Sequence, residues 1–179
     1  MTKILTAVFV ILLSSCAVKV NTFYDKQVAF DQYQTFCWFT GCQFTIEGPD
    51  YLKKDSAAVE AFKQAIVQEL NGKGYRYDDN QPDFLLYVQI VVEEQQTLIA
   101  SPVNVDDTYE WGRTYPQEDF VEDTYVYLKG SMIIDIADAA SGRMVWRSDA
   151  VRYLTLNPEI DSKIIAGGVK RALQKFPPR

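Results

Sequence analysis

The three cysteines are the residues with the clearest potential for chemistry, because the chain has 179 residues and no histidine. The commonest general base and the commonest metal ligand are therefore both missing. No Ser nucleophile motif, Ser-x-x-Lys motif or phosphate-binding glycine loop occurs in the sequence. We expect no catalytic residues, no metal site and no cofactor, and the alternative is a hydrolase that uses carboxylates.

Cys16 ends a segment with the form of a lipoprotein signal. Met1–Lys3 is a short basic start, and Ile4–Leu13 is an uncharged apolar run of 10 residues. That length is too short for a transmembrane helix, which needs about 20 residues, but it suits the core of a signal peptide. Leu13-Ser14-Ser15-Cys16 resembles a bacterial lipobox, in which the Cys sulfur receives diacylglycerol. The sequence predicts a signal peptide over residues 1–15 and lipidation of Cys16, with a plain secretory signal as the alternative.

The residue after Cys16 bears on the location of the protein. It is Ala17 and not Asp, which in lipoproteins of this type, as the resemblance implies, favours sorting to the outer membrane. Several acyl chains such as palmitate anchor a protein well, because each buried CH₂ contributes about 0.8 kcal/mol. We therefore expect a lipid-anchored protein on the periplasmic face of the bacterial outer membrane, with residues 16–29 forming the lipidated N-terminus and a first strand.

Cys37 and Cys42 form an even pair in the oxidising compartment that this signal implies. They bracket Trp38–Gly41, a segment with the length and terminal Gly of a hairpin loop. Across such a hairpin the two residues would face each other within bonding distance. The sequence predicts a disulfide here, and two separate thiols are the alternative.

Residues 97–124 are the most acidic part of the chain, and aromatic residues are interleaved with the carboxylates. A connection of this length in a compact domain is usually functional or disordered. Aromatic side chains beside charges are typical of interaction surfaces, whereas a solvated loop is the alternative interpretation. The candidate interaction residues are Asp106, Asp107, Tyr109, Glu110, Trp111, Tyr115, Asp119 and Phe120.

The overall charge bears on the class of partner. With 18 Lys+Arg against 24 Asp+Glu the net charge is −6, which argues against binding to nucleic acid. Residues 163–179 nevertheless carry five basic residues and no acidic one. We expect a non-enzymatic binding or structural component of the envelope, which contacts the membrane through its lipid anchor and binds a protein or another envelope component. The alternative is a carrier of a lipid or small apolar ligand between the helices and the sheet.

Two helices and a set of strands must position these residues. Val59, Phe62, Ile66 and Leu70 recur at helical spacing after a capping Asp55 or Ser56, and Asn157-Pro158 is typical of the start of a last helix. Alternation predicts strands over Ala17–Asn21, Phe30–Phe39, Gln43–Ile46, Pro82–Glu94, Tyr125–Ala137 and Met144–Tyr153. We expect an α+β fold over residues 30–179, a single two-layer domain in which two helices pack on one face of a mainly antiparallel sheet.

A series of short motifs runs through nearly all of the mature chain. They are Tyr33-Gln34-Thr35-Phe36, Trp38, Glu69-Leu70, Lys73-Gly74-Tyr75, Pro82-Asp83, Gly130, Asp138, Ser141-Gly142, Val145-Trp146-Arg147 and Phe176-Pro177. Through these motifs the sequence resembles a family of bacterial lipoproteins that is known only as a domain of unknown function, family number 4136. The resemblance implies the fold and the envelope location, and no activity. Ser148 departs from the family, which often has Gly after the Trp-Arg pair.

Overall fold

Seven strands and three α-helices form in the part of the chain that the computed structural model describes, which is residues 18–102, 120–156 and 161–177. Cys16 and residues 1–15 lie outside it. The α+β class is confirmed. In chain order the elements are β1 (Lys19–Tyr24), β2 (Thr35–Trp38), β3 (Ile46–Glu47), α1 (Asp50–Lys54), α2 (Ser56–Gly72), β4 (Arg76–Tyr77), β5 (Phe84–Pro102), β6 (Phe120–Asp138), β7 (Met144–Leu154) and α3 (Ser162–Ala172).

The sheet is mixed, so the prediction of a mainly antiparallel sheet is wrong. Its order is β1-β7-β6-β5-β2-β4, and β3 also pairs with β5. The pairs β1–β7, β7–β6 and β6–β5 are antiparallel. In contrast, β2 and β3 run parallel to β5, and β4 runs parallel to β2. Helices α1 and α2 separate β2 and β3 from β5 along the chain, and such a long crossover allows parallel pairing.

The region around the first predicted strands also differs from the prediction. Phe30–Gln32 is a short 3₁₀ helix, so the strand predicted over Phe30–Phe39 is confined to β2. Gln43–Ile46 does not return against β2, because Ile46 pairs with Val88 of β5 instead. Both differences place an apolar side chain in the common core, since Phe30 is 6 % exposed and Ile46 is 5 % exposed.

Helix α2 follows the predicted pattern closely. The Asp55 carboxylate caps it by accepting hydrogen bonds from the backbone N–H groups of Ala57 and Ala58, at 3.1 and 3.0 Å. Its apolar stripe buries Phe62, Ile66 and Leu70.

Helix α3 begins later than the sequence pattern indicated. Its N-cap is Asp161, whose carboxylate accepts a hydrogen bond from the Ile164 N–H at 2.8 Å, and not Asn157. A charged carboxylate is a strong cap at this position and also interacts favourably with the helix dipole. Residues 157–160 lie outside the described residues.

Strands β5 and β6 extend into the segment predicted as a loop over residues 97–124. The antiparallel register runs without a break from the Phe84–Asp138 pair to the Pro102–Phe120 pair. The backbone ladder therefore continues past the point where apolar alternation ends, and residues 103–119 of the acidic segment lie outside the described residues.

One core unites the sheet with the helices. Helices α2 and α3 pack against each other, and their buried residues join those of β5, β6 and β7 in a single cluster. Phe176, which follows α3, is 1 % exposed and contacts the rings of Phe30, Tyr75, Phe84 and Trp146, with centroids 5.2 to 6.0 Å apart. The core-facing rows of the strands thus form a floor on which α3 lies.

Candidate ligand-binding groove

A cavity of about 250 Å³ lies between α3 and the core-facing rows of β5, β6 and β7. We call it the α3 groove. Its floor follows from strand register, since Ile90, Met132 and Ala150 form one row across the three strands. Most of its wall is apolar. The lining residues are Val18, Phe62, Ile90, Gly130, Ser131, Met132, Ala150, Arg152, Leu154, Lys163, Ile164, Ile165, Gly167, Gly168 and Arg171.

Glycines allow close packing between α3 and the strands around the groove. A Cβ atom at Gly130 would lie 2.9 Å from Leu154 Cδ1, and one at Gly168 would lie 3.2 Å from Met132 Cε. Larger residues there would push against the floor. A Cβ at Gly167 would meet nothing within 4 Å, because this residue lies at the open side of the groove. Two glycines weaken a helix by about 1 kcal/mol each, so the packing of buried residues such as Val169 must hold α3 in place.

The polar part of the groove wall is mainly cationic. Arg152 comes from β7, and Lys163 and Arg171 come from α3. The Arg152 Nε atom is buried and has no hydrogen-bond partner among the described residues. Within that part of the chain, Arg152 and Lys163 also form no ion pair. The groove therefore combines an apolar floor with positive charge.

A second cleft, of about 730 Å³, has a different character. It lies between β1 and the C-terminal ends of α2 and α3, beside Thr22, Lys73, Gln174 and Lys175. The carbonyl ends of two helices carry partial negative charge, and lysines near them balance that charge. Polar groups form a larger share of this cleft than of the α3 groove, although Tyr24, Phe176 and Pro177 also line it. We therefore regard the α3 groove as the stronger candidate despite its smaller volume.

Cys37 and Cys42 lie at disulfide-bonding distance, as predicted, with their Cα atoms 5.2 Å apart. The hairpin expected around it is absent. Instead a tight turn follows β2, in which the Cys42 N–H donates to the Trp38 carbonyl at 3.1 Å. The Tyr77 hydroxyl donates to the Cys42 carbonyl at 2.8 Å and so ties the turn to β4. This pair lies outside the α3 groove and is structural.

Two aspartates join β2 to the ends of β5 and β6. Asp83 Oδ2 accepts hydrogen bonds from the N–H groups of Gln34 and Thr35, at 2.7 and 2.9 Å, and from the Thr35 hydroxyl at 3.0 Å. Asp138 accepts the Tyr33 hydroxyl at 2.9 Å and both the N–H and the hydroxyl of Ser141. These residues carried the family resemblance, and their contacts give them a structural role.

The hydrogen bonds perturb the titration of both aspartates. Desolvation raises the pKa of Asp83, but the bonds from Gln34 and Thr35 outweigh it and hold the pKa below its usual range. The hydrogen bond from the Ser141 hydroxyl is the main reason that the pKa of Asp138 is lowered. Burial, aided by Asp138, raises the pKa of the Tyr33 hydroxyl. All three groups therefore keep their ordinary charge at neutral pH.

A cross-strand ion pair joins β6 and β7. Arg147 binds Asp135 in a bidentate manner, with Nε–Oδ1 and Nη2–Oδ2 distances of 2.5 and 2.7 Å. The hydrogen bonds that Arg147 donates to the Asp135 carboxylate raise the pKa of Arg147. Trp38 and Trp146 are both buried and belong to the common core.

Most of the predicted site residues lie outside the described residues. These are Cys16 and, in the acidic segment, Asp106, Asp107, Tyr109, Glu110, Trp111, Tyr115 and Asp119. Phe120 is the first residue of β6. Among the residues that the structure does describe, no three Cys, Asp or Glu side chains lie together as metal ligands would, and no helix is long and apolar enough to cross a membrane.

The family is decided by the match of residues 20–178 to the model of a domain of unknown function, DUF4136. The chain belongs to the DUF4136 family. The sequence matches no curated protein. A solved DUF4136 family protein from Bacteroides thetaiotaomicron is 17 % identical and superposes with a TM-score of 0.51 over 89 % of this chain and 96 % of that one. This likeness concerns the fold.

Other solved structures are similar at a lower level. The PelC dodecamer from Paraburkholderia phytofirmans is 11 % identical, with a TM-score of 0.49 over 91 % of this chain and 99 % of that one. A PDZ domain protein from Parabacteroides distasonis is 14 % identical, with a TM-score of 0.48 over 89 % of this chain. The DUF4136 chain spans only 35 % of the length of that protein.

Sequence reasoning missed the groove residues Arg152, Lys163 and Gly167 of this DUF4136 chain. In the sequence, Lys163 counted only toward the basic stretch of residues 163–179. The usable signal was the Gly167-Gly168 pair inside an amphipathic helix, because glycine in a helix interior usually has a packing or functional reason.

Proposed function

We propose that this DUF4136 protein is an outer-membrane lipoprotein, anchored through Cys16 and facing the periplasm, which holds an apolar chain in the α3 groove without catalysing a reaction. The proposal adopts the carrier alternative. It is carried by one observation, a cavity of about 250 Å³ with an apolar floor between α3 and the sheet. Apolar concave sites with a few convergent polar groups are the usual form of ligand pockets.

We also propose that the two longer helices, α2 and α3, cover the same face of the sheet. It is supported by the groove wall, where Phe62 of α2 and Ile164 of α3 lie together with Ile90 and Met132 of the sheet. Apolar groups on both sides of the cavity exclude water from a bound chain, and this burial favours binding.

The absence of catalysis is supported by the polar groups of the groove. Among the described residues that line it, these groups belong to Ser131, Arg152, Lys163 and Arg171, and no carboxylate is present. A carboxylate-based hydrolase needs such a group within reach of its substrate. Binding of an envelope protein by the acidic segment stays a prediction, since residues 103–119 lie outside the described part of the chain.

The test is photo-crosslinking with an uncharged probe, dodecanol that bears a diazirine. The target is the full-length protein in phosphatidylcholine nanodiscs. We expect labelled peptides that contain Met132 and Ile164 of the groove wall. Gly167→Leu places a side chain in open space of the groove, and it also removes a glycine that weakens the helix. We expect it to reduce this labelling about tenfold, which is the factor that corresponds to a loss of about 1.4 kcal/mol of binding free energy.

The matched control is Ala166→Leu, an exposed position of α3 that does not line the groove. It should label as the wild type does, and both variants should retain wild-type melting temperatures. Ile164→Trp provides a second way to fill the groove. Equal labelling of the wild type and both groove-filling variants would contradict the proposed function.

A further inference from the structure

The groove carries positive charge on an acidic protein. The chain has a net charge of −6, yet three basic residues line this one cavity. Lys163 and Arg171 are eight residues apart on α3, which places them about 12 Å apart along the helix axis. Arg152 faces them from β7. Such a concentration of one sign in an apolar recess favours a ligand of the opposite sign.

Arg152 is the groove residue best placed to donate hydrogen bonds to an anionic ligand. It occupies the row next to Met132 and Ala150, opposite Gly130. Its Nε atom is buried without a partner among the described residues, and buried donors in folded proteins are nearly always paired. A guanidinium presents its donors as a planar fork, which matches a carboxylate or a phosphate.

The apolar floor begins beside this guanidinium. Ile90, Met132 and Ala150 form the adjacent row, and Ile164 lies on the helix side. A ligand with its charged group at Arg152 can therefore place its chain along these residues. The volume of about 250 Å³ lies just below the usual 300–1,000 Å³ of ligand pockets, which favours one chain over two.

We propose that the ligand of the α3 groove is a single-chain anionic amphiphile, whose carboxylate or phosphate binds Arg152 and Lys163 while its chain lies on Met132 and Ala150. This inference rests on the proposed function. A free fatty acid and an anionic lysophospholipid share this chemistry, and the experiment separates these two sources.

The experiment measures competition against the photoreactive dodecanol probe by dodecanoate, dodecyl phosphate and unlabelled dodecanol, which share one chain length. The protein is again the full chain in phosphatidylcholine nanodiscs. We expect the two anions to compete at about tenfold lower concentration than dodecanol, since a charge-assisted hydrogen bond has that effect. Arg152→Met should remove most of this ratio, and Lys163→Met should reduce it.

The matched charge control is Lys170→Met, because Lys170 is an exposed lysine of α3 that does not line the groove. It should leave the ratio unchanged. Competition by lysophosphatidylglycerol but not by lysophosphatidylcholine would support the phosphate arm, and competition by dodecanoate would support the fatty-acid arm. Equal competition by anions and dodecanol in the wild type would overturn the inference, as would equal ratios in Arg152→Met and Lys170→Met. Specific labelling by dodecanol would in either case leave the proposed function standing.

Discussion

At the scale of single residues, the acidic side chains of this protein divide into those that hold the fold and those on the surface. Asp83 receives three hydrogen bonds on one oxygen from Gln34 and Thr35, and its own N–H donates to the Thr35 carbonyl at 3.0 Å. It thereby connects the start of β2 to the start of β5. The lowered pKa of Asp83 reports that the folded state stabilises the charged form.

Replacing Asp83 tests this connection through its pH dependence. Because the folded-state pKa is lowered, the stabilisation is present above the unfolded pKa of about 4 and is lost as the pH falls through the folded value. Asp83→Asn should lower the free energy of unfolding by about 2 kcal/mol at pH 7, and the difference from the wild type should shrink toward pH 3. Urea unfolding at several pH values measures both.

The control is Asp31→Asn. Asp31 is exposed and forms no hydrogen bond with the described residues. It should change stability by less than about 0.5 kcal/mol. A difference between wild type and Asp83→Asn that is constant from pH 7 to pH 3 would show that the carboxylate charge is not the source of the stabilisation.

At the scale of elements, the predicted pair Cys37 and Cys42 lies in a tight turn after β2 and not in the hairpin that the sequence indicated. The Cys37–Cys42 bond closes a loop with a sequence separation of 5. The loop does not reverse into a hairpin, because Ile46 continues to the parallel strand β3 on β5. The bond thus fixes the direction in which the chain leaves β2, and Cys37 itself is fully buried.

Removing both cysteines should therefore destabilise the protein. The chain-entropy model gives about 2 kcal/mol for a loop of this length, so the double variant Cys37→Ala/Cys42→Ala should unfold at correspondingly lower urea concentration. A reducing agent should destabilise the wild type to a similar extent and should leave the double variant unaffected. A variant that is as stable as the oxidised wild type would contradict this role for the bond.

At the scale of the whole molecule, charge and apolar surface are distributed unevenly. The acidic residues are concentrated in one segment of the sequence, residues 97–124, whereas Lys163 and Arg171 lie on α3 beside the groove. The proposed lipid anchor at Cys16 lies two residues before Val18, which lines the groove. An envelope protein with this arrangement would hold its ligand site close to the membrane that supplies apolar chains.

If Cys16 is the lipid anchor, we expect fatty acid to be incorporated at this residue. Cells that express the protein and grow with an alkyne-bearing palmitate analogue should yield labelled wild type that fractionates with the outer membrane. Cys16→Ser should lose the label, because the acyl acceptor is removed. Cys37→Ala/Cys42→Ala should keep it, and equal labelling of Cys16→Ser would exclude Cys16 as the site.

Much of the secondary structure could be predicted because it depends on local sequence. The spacing of Phe62, Ile66 and Leu70 and the cap at Asp55 define α2 without reference to the rest of the chain. The faces of β5 follow from alternation, and Phe84, Leu86 and Val88 are buried as expected. The start of α3 was missed, since Asp161 and Asn157 are both competent caps and only the observed contact decides between them.

The sequence by itself indicated α2, the long strands β5 to β7 and the pairing of Cys37 with Cys42, and it matches the model of the DUF4136 family. Only the tertiary structure decided that β2 runs parallel to β5, and that Arg152, Lys163 and Gly167 meet around one apolar cavity. The physical reason is that periodicity encodes which face of an element is apolar, whereas the neighbour of that face is selected by packing between residues distant in the chain.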